Sequence, residues 1–176
     1  MRDLDDDTLL NRAKAGDTSA FGVLVRRHQE LLIAFAARML SGDLTAGEDV
    51  AQEALLRLWH ARTTWQPEGK LRSWLIRTTF RLCLDEKRRP IPLELTESDQ
   101  AMTSPDLELC LAVRAALELL PETHRAVFLL SAYHGLSYDE IATALCLPPG
   151  TVASRKHHAV QHLRRQLADL WETPHA

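Results

Sequence analysis

The chain is poor in cysteine, glycine and proline, and it has no long run of apolar residues. Its 176 residues include three cysteines, seven glycines and eight prolines. Three distant cysteines without a Cys-x-x-Cys pair argue against a disulfide framework and a structural zinc site, and they favour a reducing, cytoplasmic location. The apolar runs are far shorter than the roughly 20 residues of a membrane span. The acidic N-terminus also lacks the apolar stretch of a secretory signal.

The composition is that of a soluble globular protein with unevenly distributed charge. Hydrophobic residues make up 45% and charged residues 26% of the chain, whose net charge is −3. This balance argues against a general binder of polyanions. Residues 70–89 nevertheless carry seven basic and two acidic side chains. A local and specific polyanion site therefore remains open.

Apolar residues recur at helical spacing along the chain, and no segment alternates like a strand, so the sequence predicts an all-α fold. A short helix is expected over residues 7–15. A longer helix follows from Phe21, with Ser19 as its N-cap and Gly42 as its end.

Two further helices are predicted in the first half. Thr45 and Glu48 match a capping box, in which the hydroxyl accepts an unpaired N–H and the carboxylate reaches back. The apolar side of the helix that follows is Val50, Ala51, Ala54, Leu55, Leu58 and Trp59. The next helix covers residues 71–88. Its predicted inward residues are Leu71, Trp74, Leu75, Thr78 and Leu82.

Residues 91–106 interrupt the helical pattern. They contain four acidic residues and no basic one, together with prolines, which is typical of an acidic linker. Helices are expected again from Ser104-Pro105 to about residue 119, and from Pro121 towards Gly135. The sequence thus predicts two small helical domains joined by a short acidic linker.

Residues 137–165 predict a helix-turn-helix. Ser137 and Glu140 form a second capping box, Leu147–Gly150 is expected to be a turn, and a long helix begins at Thr151. The predicted inner face of that helix is Val152, Ala159, Leu163, Leu167 and Leu170. Its N-terminal residues could face base edges in a major groove. A purely structural helix pair is the alternative.

Residues 65–89 combine basic and aromatic side chains. The basic residues that lie at helical spacing or in the preceding loop are Lys70, Arg72, Arg77, Arg81 and Arg88. The rings are Trp65, Trp74 and Phe80. Single-stranded nucleic acid needs cations for its phosphates and rings for its unstacked bases. The alternatives are a core position for Trp74 and an ordinary solvated face for the arginines.

Four stretches, in this order and with matching gaps, resemble bacterial sigma factors of the extracytoplasmic-function group of the sigma-70 family. They are Ala15–His28, Gly47–Trp59, Leu71–Arg77 with Leu84–Arg89, and Leu120–Val152. The resemblance covers about residues 5–168.

The resemblance implies a role for each part of the chain. Residues 5–90 are expected to bind core RNA polymerase and to open the minus-ten element, residues 91–106 to be a linker, and residues 107–170 to bind the minus-thirty-five element. The implied polymerase contacts are Asp49, Gln52, Glu53 and Leu56. The implied minus-ten contacts are Lys70, Arg72, Trp74, Arg77, Arg81, Lys87 and Arg88. The implied minus-thirty-five contacts are Thr151, Ser154, Arg155, His157 and His158.

Several positions depart from the family pattern. Phe80 and Arg81 stand where the family commonly has arginine and asparagine, and Ile76 stands where it usually has an aromatic residue. The usual basic positions of the recognition helix are here Ala153, His158 and Val160. Each lost cationic contact should flatten the salt dependence of DNA binding by roughly 0.9 log unit. Cys146 occupies a turn position often held by glycine, where a positive φ would strain it.

The sequence therefore predicts a transcription initiation factor rather than an enzyme. It shows no nucleophile–base motif or phosphate loop. No cofactor or metal is expected, because His158 and His162 have no third ligand nearby. The resemblance implies core RNA polymerase, promoter DNA and an anti-sigma factor, often membrane-anchored, as partners. An ordinary helix-turn-helix regulator and a sigma-like interaction module are the alternatives.

Overall fold

The described part of the chain is helical throughout. The structure, a computed structural model, describes residues 4–66, 68–88 and 105–168. These ranges contain eight helices and no strand, which confirms the all-α prediction. In chain order the helices are α1 Asp6–Lys14, α2 Thr18–Met39, α3 Leu44–Ala61, α4 Leu71–Arg88, α5 Pro105–Glu118, α6 Glu122–Ala132, α7 Tyr138–Leu145 and α8 Pro149–Gln166. None of them is long and apolar enough to cross a membrane.

Aspartates begin the first three helices. Asp5, Asp17 and Asp43 are the N-caps of α1, α2 and α3, and each side chain accepts a hydrogen bond from the N–H three residues on. The predicted caps Ser19 and Thr45 are therefore wrong, and both residues lie in the first turn of their helix. A carboxylate caps a helix at least as well as a hydroxyl, so each helix extends back to its aspartate.

α3 packs closely on α2 and buries the side that the sequence predicts. Its buried residues include Val50, Ala51, Ala54, Leu55 and Leu58, while Trp59 is partly exposed. Gly47 permits the close approach, because a Cβ added there would lie 2.8 Å from the backbone nitrogen of Ala37. The crossing of α2 and α3 thus has no room for a larger side chain at this position.

α4 has the predicted bounds but a different buried face. Its buried residues are Leu71, Leu75, Ile76, Thr79, Phe80 and Cys83. Trp74, Thr78 and Leu82, which the sequence placed inward, are only partly buried. The reason is that α4 is covered on more than one side, since it packs against α2, α3 and α7.

α7 and α8 form the predicted helix-turn-helix. The capping box is confirmed, because Glu140 N–H donates to Ser137 Oγ and Ser137 N–H donates to the Glu140 carboxylate at 2.8 Å. Cys146 ends α7 with a left-handed φ of 54°. α8 begins at Pro149 and not at Thr151, because proline is well suited to the first position of a helix.

The inner face of α8 agrees with the prediction as far as the structure describes it. Val152, Ala159 and Leu163 are buried, and Leu167 is partly buried. Leu170 lies outside the described residues. So does most of the predicted linker at 91–106, whose last two positions belong to α5.

The N-terminal helices α1–α4 pack directly against the C-terminal helices α5–α8. The contacts run mainly between α4 and α7 and between α2 and α6. Arg125 of α6 is only 2% exposed. It donates to the Met39 carbonyl at the end of α2, at 3.3 Å, and to the carbonyls of Glu118 and Leu120. One buried guanidinium therefore joins carbonyls of both halves.

Candidate nucleic-acid and polymerase interfaces

A pocket of about 370 Å³ opens between α4 and the described residues 65, 66 and 68–70, here named the segment 65–70. Trp65 and Trp74 form part of its wall and meet edge to face, with ring centroids 5.7 Å apart. Lys70 and Arg77 also line it. Trp65 Nε1 is buried without a hydrogen-bond partner among the described residues. Aromatic walls with cations beside them have the chemistry to hold a planar base and its phosphate.

Two arginines beside this pocket bind α7. Arg77 donates from Nε to the Ala144 carbonyl at 3.1 Å and from Nη2 to the Thr143 carbonyl. Arg72 Nη1 lies 3.3 Å from a carboxylate oxygen of Glu140. The carbonyl end of a helix attracts cations. Both guanidiniums are therefore engaged by the first helix of the helix-turn-helix.

Lys70 and Arg81 reach solvent. Lys70 Nζ pairs with Glu68 at 3.0 Å, but the two side chains are 61% and 60% exposed, so water weakens the pair. Arg81 is exposed one turn beyond Arg77 on α4. These two cations remain accessible to an incoming strand.

Lys87 and Arg88 lie at the other end of α4. Lys87 is exposed near the end of the helix, and partial burial, followed by the positive charge of Arg125, lowers its pKa. Arg88 Nη1 is 3.9 Å from Asp85 on its own helix. The structure thus brings Lys70, Trp74 and Arg77 into one pocket lining, and it keeps these two cations apart from it.

The outer face of α8 presents few charges in its first turns. Ser154 and His157 are exposed, and Thr151 is partly buried. Ser154 Oγ donates to the Thr151 carbonyl at 3.0 Å. The same face continues, one and two turns on, to three exposed residues that the sequence analysis missed: Gln161, Arg164 and Arg165. Counting by helical period from Ser154 and His157 would have found them.

Arg155 and His158 turn towards α6. The ring of His158 lies 6.3 Å from the ring of His124. Burial, followed by the charges of Arg155 and His158, lowers the pKa of His124. Arg155 Nη1 is buried without a hydrogen-bond partner in the described part of the chain. Of the five predicted contacts on this helix, Ser154, His157 and His158 are exposed, while Thr151 and Arg155 are partly buried.

The predicted polymerase contacts on α3 border two grooves. Gln52 and Leu56 line an apolar groove of about 370 Å³ between α2 and α3. The other residues that line it are Thr18, Phe21, Val25, Leu55 and Trp59. Leu56 is a large apolar side chain, yet it is 48% exposed. An exposed leucine beside an aromatic-lined groove is typical of a surface that another protein covers.

Asp49 and Glu53 line a second groove, of about 470 Å³, between α3 and α4. It is polar, with Asp85 in its lining, and Arg57 donates to Glu53 at 2.8 Å. The four predicted contacts thus share one side of α3. They divide between an apolar and an acidic groove.

Comparison with known protein families gives two matches, and together they span most of the chain. Residues 24–90 match Sigma-70 region 2, and residues 110–163 match Sigma-70, region 4. The ECF RNA polymerase sigma factor SigL of Mycobacterium tuberculosis is 34% identical over 92% of this chain and 96% of its own. The chain belongs to the extracytoplasmic-function group of sigma-70 factors. Its function is that of an alternative sigma factor in transcription initiation, and the family consists of initiation factors rather than enzymes.

Other relatives and solved structures agree with this assignment. The ECF RNA polymerase sigma-E factor of Escherichia coli K12 is 32% identical over 95% of this sigma factor and 96% of its own chain. CnrH, solved in complex with the cytosolic domain of CnrY, is 30% identical with a TM-score of 0.74, covering 93% and 97% of the two chains. RpoE of Bartonella quintana, solved with the anti-sigma factor NepR, has a TM-score of 0.66 at 22% identity over 84% and 96%. The last likeness concerns the fold alone.

The cysteines of this sigma factor have different environments. Burial raises the pKa of the Cys83 thiol to about 12, so the thiol stays protonated and packs as a small apolar group. Cys110 and Cys146 are exposed. Within the described residues, no three His, Cys, Asp or Glu side chains gather as they would around a metal ion.

Proposed function

We propose that this sigma factor binds core RNA polymerase through α3 and opens the minus-ten element with the segment 65–70 and α4. Residues 5–90 would do this work, residues 91–106 would be a linker, and residues 107–170 would contact the minus-thirty-five element through α8. The observation that carries the proposal is the pocket walled by Trp65 and Trp74.

The pocket suits a base that has left the helical stack. Extracting a base costs a few kcal/mol, and stacking on a ring recovers about 1–3 kcal/mol for each base. Trp65 and Trp74 offer rings, and the exposed Lys70 offers charge for the phosphate. Arg77 would add its charge once α7 is displaced. Arg81, exposed on the next turn, extends the positive track along the strand.

Promoter DNA would have to displace α7 from part of this surface. Arg72 and Arg77 cannot serve a phosphate while they bind Glu140 and the end of α7. Binding of core polymerase would supply the opportunity, since α4 and α7 belong to different halves of the chain. Lys87 and Arg88 lie further along α4 and would contact the duplex beyond the opened bases.

The two grooves of α3 would meet a helical surface of the polymerase. Gln52 and Leu56 offer an apolar edge, and Asp49 and Glu53 offer an acidic one. A partner helix that has apolar residues on one side and basic residues beside them would complement both edges.

The minus-thirty-five contacts would come from the outer face of α8. The exposed Ser154, His157 and His158 would make the main contacts, while the partly buried Thr151 and Arg155 would contribute beside them. Because this face carries few permanent cations near its N-terminal end, its affinity for the duplex should be low and only weakly dependent on salt.

An anti-sigma factor is a further proposed partner, and the cytoplasm is the proposed location. The support comes from CnrH, a solved relative whose structure holds the cytosolic domain of CnrY. This sigma factor shares 30% identity with CnrH over 93% of its length.

Open-complex formation tests the proposal. The purified sigma factor is mixed with sigma-free core polymerase and a library of promoter fragments, and unpaired thymines are detected with permanganate. Selective opening of some fragments is expected. Arg81→Ala should reduce it, whereas Arg26→Ala, an exposed arginine of α2 outside all three surfaces, should leave it unchanged.

Two other outcomes would overturn the proposal. Core binding without opening of any fragment would favour a sigma-like interaction module. Duplex binding without core binding would favour an ordinary helix-turn-helix regulator.

A further inference from the structure

The segment 65–70, which forms one wall of the tryptophan pocket, is tied to the N-terminal helix by a hydrogen bond. Gly69 N–H donates to Asp7 Oδ2 at 2.7 Å, across 62 positions of sequence. Gly69 has a φ of 65°, a conformation that glycine adopts without strain. The backbone is thus shaped so that this N–H points at the carboxylate of α1.

The helix that carries Asp7, α1, is held firmly against α2. Asp6, the preceding residue, accepts hydrogen bonds from Arg27 and from His28 on α2, the latter at 2.8 Å. Burial alone would raise the pKa of Asp6, but the bonds from His28 and Arg27 outweigh it and hold the pKa below its ordinary value. Leu9 and Leu10 are buried beneath. Asp7 is therefore presented from a helix fixed both by ion pairs and by apolar packing.

The segment is held otherwise by its two ends: Trp65 packs on Trp74 and on the apolar core, and the Lys70 carbonyl accepts from Trp74 N–H at 2.9 Å. Its ion pair between Glu68 and Lys70 joins residues of the segment itself and is well exposed. A cavity of about 720 Å³ lies beside this bond, and Asp7 and Gly69 are both part of its lining. Within the described residues, no other hydrogen bond joins the segment to a distant element. Among the described residues, the bond to Asp7 is the hydrogen bond that joins the segment to α1.

We propose that Asp7 is a positioning residue for strand capture, which holds the segment 65–70 so that Trp65 and Lys70 stand correctly about the pocket. The inference rests on the proposed function, because it assigns Asp7 a part in the same site. Asp7 touches no DNA itself. It acts by keeping the pocket formed before a base arrives, which spares the ordering cost at the moment of binding.

The test compares four proteins: the unchanged chain, Asp7→Ala, Asp7→Asn and Asp5→Ala. Alanine at position 7 removes the acceptor for Gly69 N–H. Asparagine keeps an acceptor oxygen and should therefore preserve the hydrogen bond and promoter opening. Asp5→Ala weakens the cap of the same helix, where Asp5 accepts from Thr8 N–H at 2.8 Å, but it leaves the bond to Gly69 in place. It is therefore the matched control for a general loosening of α1.

The readouts are chosen so that general loss of stability does not imitate the effect. Asp7→Ala should slow promoter opening about fivefold, the worth of one hydrogen bond. It should weaken the preference among the four bases at the captured position, and it should speed amide hydrogen exchange in 65–70. Core affinity should not change. Asp7→Asn and Asp5→Ala should open promoters like the unchanged chain.

The failure of this inference differs from failure of the proposed function. If the unchanged chain opens no promoter with core polymerase, the proposed function is wrong, and the role of Asp7 is then wrong as well. If the unchanged chain opens promoters and Asp7→Ala matches it in rate, base preference and exchange, only the role of Asp7 is wrong. The role is also overturned if Asp5→Ala is as impaired as Asp7→Ala.

Discussion

The two surfaces proposed to meet DNA, on α4 and on α8, differ in shape and in charge. The α4 surface is concave, because Trp65 and Lys70 stand beside Trp74 and Arg77 in one pocket lining. The α8 surface is the outer side of a single helix, on which Ser154, His157 and His158 are exposed. A concave aromatic site can enclose one unstacked base, whereas a convex helix can only lie in a groove. The comparison teaches that opening and duplex recognition need different local architecture, even when both begin from a helix.

The charges of the two surfaces are also engaged differently. On α4, Arg77 is bound to the end of α7, and promoter DNA would have to compete with α7 for it. On α8, Arg155 faces α6, and its Nη1 is buried. Lys70 and Arg81 are exposed near the tryptophan pocket, whereas the exposed arginines of α8, Arg164 and Arg165, lie towards its C-terminal end. Promoter selection by this sigma factor should depend more on the minus-ten element than on the minus-thirty-five element.

The largest expected effect is on stability, and it concerns Arg125, which links the half of the chain that carries α4 to the half that carries α8. Arg125→Ala removes three hydrogen bonds to backbone carbonyls of both halves and should lower the free energy of unfolding by about 3 kcal/mol. Urea denaturation followed by circular dichroism measures it, with the exposed Arg26→Ala as the control. A loss below about 1 kcal/mol would show that the joint contributes little to holding the halves together.

The next effect concerns the aromatic pocket on α4. Trp74→Ala should reduce promoter opening by about 10- to 100-fold, because a stacked ring is worth about 1–3 kcal/mol. Permanganate footprinting with saturating core polymerase measures it. Tyr133→Ala, which removes a ring that is 49% exposed on the other half of the chain, should leave opening unchanged. Equal losses in both variants would remove the special role of the pocket.

A third prediction concerns the charge on the outer face of α8. His157→Lys places a permanent cation on the outer face, and the slope of log affinity against log salt should become steeper by about 0.9. Fluorescence anisotropy with minus-thirty-five duplex measures the slope. His60→Lys makes the same charge change on α3 and should not alter it. An unchanged slope for His157→Lys would mean that α8 does not lie against the duplex at this position.

The smallest effect concerns the turn between α7 and α8. Cys146 has a left-handed φ of 54°, so Cys146→Gly should raise the free energy of unfolding by about 0.5–1 kcal/mol. Cys146→Ala keeps the strain and serves as the control in the same urea titration. A destabilised glycine variant would show that the thiol side chain outweighs the backbone strain.

Local chemistry made part of this molecule predictable. The bounds of α4 and the capping box of Ser137 and Glu140 follow from residues within a few positions of one another, and both are confirmed. The caps of α2 and α3 were wrong because an aspartate two positions earlier competes for the same N–H groups. Such competition is also local, and giving the carboxylate priority over the hydroxyl would have resolved it.

The rest depends on contacts between distant parts of the chain. The bond from Gly69 to Asp7 spans 62 positions, and that from Arg77 to Ala144 spans 67. Helical spacing identified the residues that share a face with Arg77, but it gave no sign that α7 covers part of that face. For the same reason, spacing alone could not show that Arg155 turns towards α6.

The capture of an unstacked base by the α4 surface is the central claim, and site-specific crosslinking tests it most directly. 4-Thiothymine is placed at successive minus-ten positions of the non-template strand in an open complex with core polymerase, irradiated, and mapped by mass spectrometry. One position should crosslink strongly within residues 65–77, and Trp74→Ala should abolish that signal while the complex still binds core. Crosslinks that fall only on α8, or that are spread evenly over α4 without a preferred base, would contradict the claim.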